Sequence, residues 1–221
     1  MPSFTLGLHT DRLAPKAEAR LPGCNRILYV CDGDAVVRAS AQAAGLAANS
    51  AWHGRDTVTV IAGAAGATLL RWELSAGSDA SGALAGAGVT STPTLAHAVD
   101  LGEPGGYLVR CDRVDFPPGG VAYTHVHRGP GIRCLLTGAI RVEVNGKAHD
   151  IEPGGAWFEA GPDPVLATAS KSSPTAFVRV MILPRELRGK SSIRYVKPED
   201  ADQPKLQIYR IFVDEIIELR R

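Results

Sequence analysis

The amino-acid sequence predicts an all-β protein made of two similar units. Short apolar or alternating segments recur at roughly ten-residue spacing, as in sandwiches and closed barrels. Glycine (24) and proline (15) are frequent enough to punctuate many tight turns. A weak internal repeat sets RILYVCDGDAVVR, residues 26–38, over IRCLLTGAIRVEV, residues 132–144, with Gly33 against Gly138. In the same repeat LLRWELS, residues 69–75, resembles FVRVMILP, residues 177–184, with Arg71 against Arg179.

Taken in order, residues 26–30 and 35–38 read as strands flanking Cys31-Asp32-Gly33-Asp34, which contains a turn dipeptide. The Ala-rich residues 40–49 read as a short helix or a loop, and the β-branched residues 57–61 as a strand. Leu70, Trp72 and Leu74 alternate with Arg71 and Glu73, giving one apolar and one wet face. Residues 76–92, AGSDASGALAGAGVTST, lack the large apolar side chains that offset the entropy of ordering, so they read as a linker. Strands are expected at 107–114, 122–127, 132–136 and 140–144, then a hairpin turn at Asn145-Gly146, then strands at 156–159 and 176–183. A final helical turn is expected near 215–219. The expected organisation is a unit over 1–75, a linker over 76–94, a second unit over 95–185 and an extension over 186–221. In that extension the alternating residues 206–213 are expected to pair as a strand with the first unit, tying the two halves together.

Composition excludes several classes. The net charge is +1 and the basic residues are scattered, which argues against nucleic acid and anionic membranes. No apolar run reaches the ~20 residues of a membrane helix, and the N-terminus lacks a signal-peptide pattern, so a cytoplasmic protein is expected. Cys24, Cys31, Cys111 and Cys134 form no C-x-x-C pair and read as free thiols. Phosphate-binding glycine loops and the G-x-S-x-G elbow are absent from the sequence.

The chemistry is concentrated in residues 117–146, PPGGVAYTHVHRGPGIRCLLTGAIRVEVNG. His125 and His127 stand two apart, which on a strand puts both imidazoles on one face, about 6–7 Å apart along the chain. Such a pair suits a divalent transition metal. This segment resembles the first motif of the cupin superfamily, a Gly, then His-x-His, then Glu, then Gly. Gly119, His125, His127 and Gly138 fit its intervals, whereas its Glu position falls on Gly131. Glu152-Pro153-Gly154-Gly155 is similar to the turn of the second cupin motif, whose His position falls near Pro164 or Val165.

The resemblance implies two jelly-roll barrels in one chain, with a degenerate N-terminal copy and a partial metal motif in the C-terminal one. It implies that His125 and His127 point into the second barrel. Arg133 shares side-chain parity with Gly131 and is read as facing the cavity, opposite Glu159, Glu143 or a substrate carboxylate, with a rim residue paired to a neighbouring acid the alternative. Glu159, an acid in an otherwise apolar strand, is the candidate third ligand or acid/base group, with a barrel-end residue reaching solvent the alternative. Tyr123 shares parity with His125 and is a candidate catalytic residue, with core packing the alternative. Cys134 has the opposite parity to Arg133 and is expected to face outward into a sheet or subunit contact.

The expected function is therefore a metal-dependent small-molecule enzyme of the dioxygenase, isomerase or lyase class. It would use Fe, Mn, Ni or Zn, act on an acidic or oxygenated substrate, and work as a homodimer. The alternative is a ligand-binding or sensor protein without a metal.

Overall fold

The structure is a computed structural model that describes residues 4–40, 42–77, 82–102 and 106–219. It is almost entirely β, and it divides into two compact units, Met1–Gly102 and Glu103–Leu219.

The N-terminal unit is one seven-stranded antiparallel sheet: β1 (Phe4–Leu13), β2 (Glu18–Leu21), β3 (Asn25–Arg38), β4 (Ala43–Ala47), β5 (Ala51–Gly54), β6 (Val58–Ala76) and β7 (Val89–Val99). Two strands are long because each serves two halves of the sheet. The first half of β3 pairs with β5 and with the second half of β6, and its second half pairs with β4 and with the first half of β6. β2 joins the first half of β6, and β1 the second half. Residues 31–34 are therefore a kink inside one strand, not the turn of a hairpin. The register shifts on either side of Asp32 and Gly33, and Gly33 has φ 74. A Cβ there would lie 2.1 Å from the Gly66 carbonyl oxygen, so glycine lets the two bent strands cross closely.

The expected linker runs into β7, which pairs with β1 along its whole length. Residues 89–94 of that stretch are thus strand, and residues 78–81 lie outside the described residues. A sequence of small and polar residues suffices here because β7 is an edge strand, held through backbone bonds and mostly half-exposed or exposed. Pro93 is tolerated at that edge, where the register shifts. The Ala-rich stretch is not helical but contains β4.

The C-terminal unit has ten strands: β8 (Tyr107–Phe116), β9 (Val121–His127), β10 (Gly131–Thr137), β11 (Ile140–Val144), β12 (Lys147–Ile151), β13 (Ala156–Glu159), β14 (Val165–Ala169), β15 (Thr175–Pro184), β16 (Ile193–Tyr195) and β17 (Ile208–Ile217). They form two five-stranded sheets, in the orders β13-β10-β15-β8-β17 and β12-β11-β14-β9-β16. The eight strands from β8 to β15 follow the double Greek-key order of a jelly roll. Val114, Phe116, Leu135 and Phe177 from one sheet meet Ala122, Ile140, Val142, Val165 and Ala167 from the other in a shared core. The hairpin at Asn145-Gly146 forms as expected, both residues having positive φ and Val144 pairing with Lys147.

The extension differs from expectation twice. β17 pairs with β8 of its own unit, not with the N-terminal unit. No helical turn forms at 215–219, because β17 continues to Ile217. Arg110 on β8 fixes this arrangement by bonding Asp214 on β17 and the carbonyls of Leu187 and Lys190. No helix is long and apolar enough to cross a membrane among the described residues.

Candidate metal centre

β9 carries both histidines, β13 carries Glu159, and β10 and β15 carry Arg133 and Arg179. The two sheets bring these side chains together at one end of the C-terminal unit's interior. His125, His127, Glu159, Arg133 and Arg179 are all buried, and Arg133 is among the most deeply enclosed side chains of the protein.

The two imidazoles meet edge to face, with Nε2 of His125 3.2 Å from Nε2 of His127. Nδ1 of His125 is 2.7 Å from the Tyr123 carbonyl, an acceptor only, so that nitrogen carries the proton and Nε2 carries a lone pair. Nδ1 of His127 faces the Ser192 hydroxyl at 3.4 Å. That hydroxyl donates to the Met181 sulfur, leaving its oxygen to accept from Nδ1. Both Nε2 atoms then turn lone pairs toward each other, an arrangement that a cation between them would stabilise.

The third donor lies close by. Oε2 of Glu159 is 3.4 Å from Nε2 of His127, while Oε1 accepts from the Trp157 indole at 2.8 Å. Donor atoms of the three residues all fall within 4.8 Å of one another. Neighbouring ligands around one transition metal, at metal–nitrogen distances of about 2.1 Å, stand roughly 3.0–3.4 Å apart, and the His125–His127 and His127–Glu159 spacings match that separation. Oε2 also lies 2.6 Å from Nη2 of Arg133, off the line of a hydrogen bond, and both atoms keep unmet hydrogen-bonding capacity in the interior. An ion shared with the imidazoles would satisfy the carboxylate.

Electrostatics favour ligation. Burial pushes the His125 pKa down, only partly opposed by Glu159. Burial, and then the Arg133 and Arg179 guanidiniums, push His127 well below the usual imidazole value. Both rings are therefore neutral at neutral pH, the form that binds metals. Burial also lowers Arg133 to about 10 despite the Glu159 carboxylate. Arg179 behaves oppositely: burial is outweighed by Asp112, which grips it at 2.7 and 3.2 Å and raises its pKa. Nη1 of Arg179 reaches to 3.4 Å from Nε2 of His127.

The structure also shows what surrounds Gly131, where the resemblance would place a Glu. Gly131 on β10 is the direct register partner of Glu159 on β13. A Cβ at 131 would stand 2.6 Å from the Val180 oxygen and 3.1 Å from Nη1 of Arg133, which itself donates to the Gly131 carbonyl. The space for a side chain at 131 is thus filled by the guanidinium, and the carboxylate comes from the neighbouring strand. The other ligand position falls near Pro164 or Val165, and Val165 is buried in the apolar core opposite His125.

Of the residues singled out from sequence, His125, His127, Glu159 and Arg133 come together. Tyr123 is half-buried, supplies its carbonyl to His125, and lies with its ring beneath Lys205. A register shift between β9 and β14 separates it from the simple alternation that links it to His125. Cys134 is buried, with its sulfur 3.8 Å from the Gly154 carbonyl. Asp112, Arg179, Trp157 and Ser192 were not singled out as site residues. For Arg179 the available signal was a charge inside an apolar strand, FVRVMIL, whereas Asp112 stands among two arginines in VRCDRV and carries no such signal.

A cavity of about 340 Å³ adjoins the centre, lined among others by Arg179, Asp112, Ser192, Tyr195, Tyr209 and Ile211. Arg179 and Arg110 both lie on its wall, Arg110 being held by Asp214 and the Leu187 and Lys190 carbonyls, whereas Arg133 turns to Glu159 and the Gly131 carbonyl.

No family model matches the chain, and no curated protein matches it in sequence. Solved structures do match in fold, and they are cupin-fold proteins. A variant of oxalate decarboxylase OxdC from Bacillus subtilis aligns with TM-score 0.67 and 13% identity, covering 90% of this chain and 73% of that one. Salicylate 1,2-dioxygenase from Pseudaminobacter salicylatoxidans aligns at 0.57 and 13%, covering 86% and 74%. AerE from Microcystis aeruginosa aligns at 0.57 and 12%, covering 81% and 87%. The oxalate decarboxylase is described as having Mn(II) centres. At these identities the likeness shows the fold. Fold and site together define an all-β protein of the cupin jelly-roll type with a His-His-Glu group that could hold a metal ion.

Proposed function

We propose that the C-terminal unit is a metal-dependent enzyme site acting on a small acidic substrate, with a divalent ion held by His125, His127 and Glu159. The observation that carries this reading is the convergence of two Nε2 lone pairs, 3.2 Å apart, on a buried carboxylate oxygen without a hydrogen-bond partner. Mn or Fe suits such a mixed nitrogen and oxygen set, and the fold neighbours include a protein with Mn(II) centres. When bound, the ion supplies Lewis-acid or oxygen-activating chemistry.

Charge balance supports an acidic substrate. Two guanidiniums, Arg133 and Arg179, are offset by two carboxylates, Glu159 and Asp112. A divalent ion leaves this interior with a surplus of positive charge, which an anionic ligand neutralises. Arg179, on the cavity wall and fixed by Asp112, receives the anion, and Arg133 holds Glu159 in place. Dioxygenase, isomerase and lyase chemistry are all compatible with this arrangement. The matching strand order of the kinked N-terminal sheet, and the equivalent Arg71 and Arg179, support reading that unit as a second jelly-roll copy without a metal centre.

One observation favours a metal-free ligand-binding protein: Nη1 of Arg179 already points at Nε2 of His127. Elemental analysis of protein purified without a metal-affinity tag separates the readings. The enzyme reading expects about one Mn or Fe per chain, lost in the His125→Ala/His127→Ala variant. Absence of metal, with ligand-induced stabilisation unchanged in that variant, would establish the binding protein instead.

A further inference from the structure

We infer that Ser192 is a positioning residue for His127, selecting the imidazole tautomer that leaves Nε2 open to a metal ion, and that β17 holds Ser192 in place through an Asp214–Arg110 clamp. The consequence for metal binding rests on the function proposed above; the tautomer does not.

His127 has two neutral forms, and its surroundings offer a partner to each. With the proton on Nε2, the ring would donate to Oε2 of Glu159, 3.4 Å away and otherwise without a hydrogen-bond partner. That form blocks the metal. With the proton on Nδ1, the ring donates to the Ser192 hydroxyl at 3.4 Å, and Nε2 accepts from Nη1 of Arg179 at the same distance. The Ser192 oxygen is open to Nδ1 because its own proton goes to the Met181 sulfur, which can only accept. Without that hydroxyl the Nδ1 proton would be enclosed with no acceptor, a cost that moves it to Nε2 and onto Glu159. The choice between the two forms therefore lies with a residue outside the ligand set.

Ser192 is not placed by the eight strands of the jelly roll. It lies in the extension after β15, and it is the one buried residue between positions 188 and 195. A clamp fixes the loop that carries it. Nη2 and Nη1 of Arg110 donate to the Leu187 and Lys190 carbonyls, both at 2.8 Å. Asp214 on β17 accepts from the Gly189 N–H at 2.7 Å and from Nε of Arg110 at 2.9 Å. Beyond the clamp, the Arg128 N–H donates to the Ser192 carbonyl at 3.2 Å, and Ile193 pairs with His127. Asp214 orients Arg110, Arg110 fixes residues 187–190, and these set Ser192 against Nδ1.

Long-range 1H–15N correlation spectra of the metal-free full chain read the tautomer directly. The wild type is expected to carry the His127 proton on Nδ1. Ser192→Ala should move it to Nε2 and weaken Mn(II) binding, measured by competition with a chelator, about 10–100-fold. Asp214→Asn keeps the shape but loses the charge-assisted grip, so it should populate both tautomers and weaken Mn(II) about threefold to tenfold. Circular dichroism checks that each variant is folded; should Ser192→Ala unfold, the Asp214→Asn spectrum decides alone. A wild type protonated on Nε2, or a folded Ser192→Ala protein with the wild-type tautomer, overturns the inference. An Asp214→Asn protein identical to wild type in both readouts overturns the clamp. A tautomer that responds in a protein that binds no Mn(II) sinks the metal reading and leaves Ser192's role standing.

Discussion

The Arg133–Glu159 contact makes the sharpest prediction because it can be measured without any metal. Arg133 is 1% exposed, and its charge is neutralised chiefly by the Glu159 carboxylate 2.6 Å away. Even with that carboxylate, burial holds its pKa near 10 against 12.5, on the order of 3 kcal/mol against the charged form. Glu159→Gln keeps the shape and removes the neutralising charge. Removing one member of a buried ion pair costs roughly 3–5 kcal/mol, because the other charge stays enclosed without compensation. Replacing both, as in Arg133→Met/Glu159→Leu, should recover most of that loss, since apolar groups of similar volume substitute for buried pairs at little cost. The assay is urea unfolding in chelator, followed by circular dichroism and tryptophan fluorescence. The reasoning is refuted if Glu159→Gln costs less than about 1 kcal/mol, or if the double variant is no more stable than the single one.

Three further outcomes are expected. The folded-state pKa values of His125 and His127 lie below 6.5, so the unfolded chain binds more protons as pH falls through 6.5; stability of the metal-free protein should be complete above that point and decline below it, by at most about 2.7 kcal/mol per pH unit, as read from melting curves. Gly131→Ala should destabilise by about 1–3 kcal/mol, since its Cβ would press on the Val180 oxygen and the Met181 side chain, and Gly131→Glu should fail to rebuild a carboxylate ligand, with lower rather than higher metal content. Cys111 and Cys134, both buried, with burial raising Cys111 well above its ordinary value and Cys134 to about 12, should resist a thiol reagent in the native protein and react only on unfolding, as counted by thiol titration.

Much of the C-terminal unit was legible because its signals are local. Asn145-Gly146 dictates its own turn, His-x-His fixes two side chains on one strand, and an acid among Ala156, Trp157 and Phe158 stands out. The pairs that complete the site are separated by long stretches of chain, and nothing local announces them. Asp112 and Arg179 are joined by strand pairing between β8 and β15. The same limit hid the partner of β17, since an alternating strand declares its faces but not its neighbour. β7 was missed for a different reason. An edge strand needs little apolar burial, so its composition resembles that of a loop. Residues 31–34 misled because a glycine kink within a strand and a tight turn use the same residue types.

In the N-terminal unit Arg26, Glu73, Arg71 and Asp11 form a continuous line of ion pairs, all buried, with the Ser91 hydroxyl donating to Asp11. Arg71 holds the same strand register in its sheet as Arg179 does in the other. Each charge in this chain depends on the next, so any one-step change toward a ligand residue strands a neighbour in the interior. Converting this interior into a metal-binding pocket would therefore require several substitutions at once, whereas in the C-terminal unit the carboxylate Oε2 of Glu159 still lacks a hydrogen-bond partner.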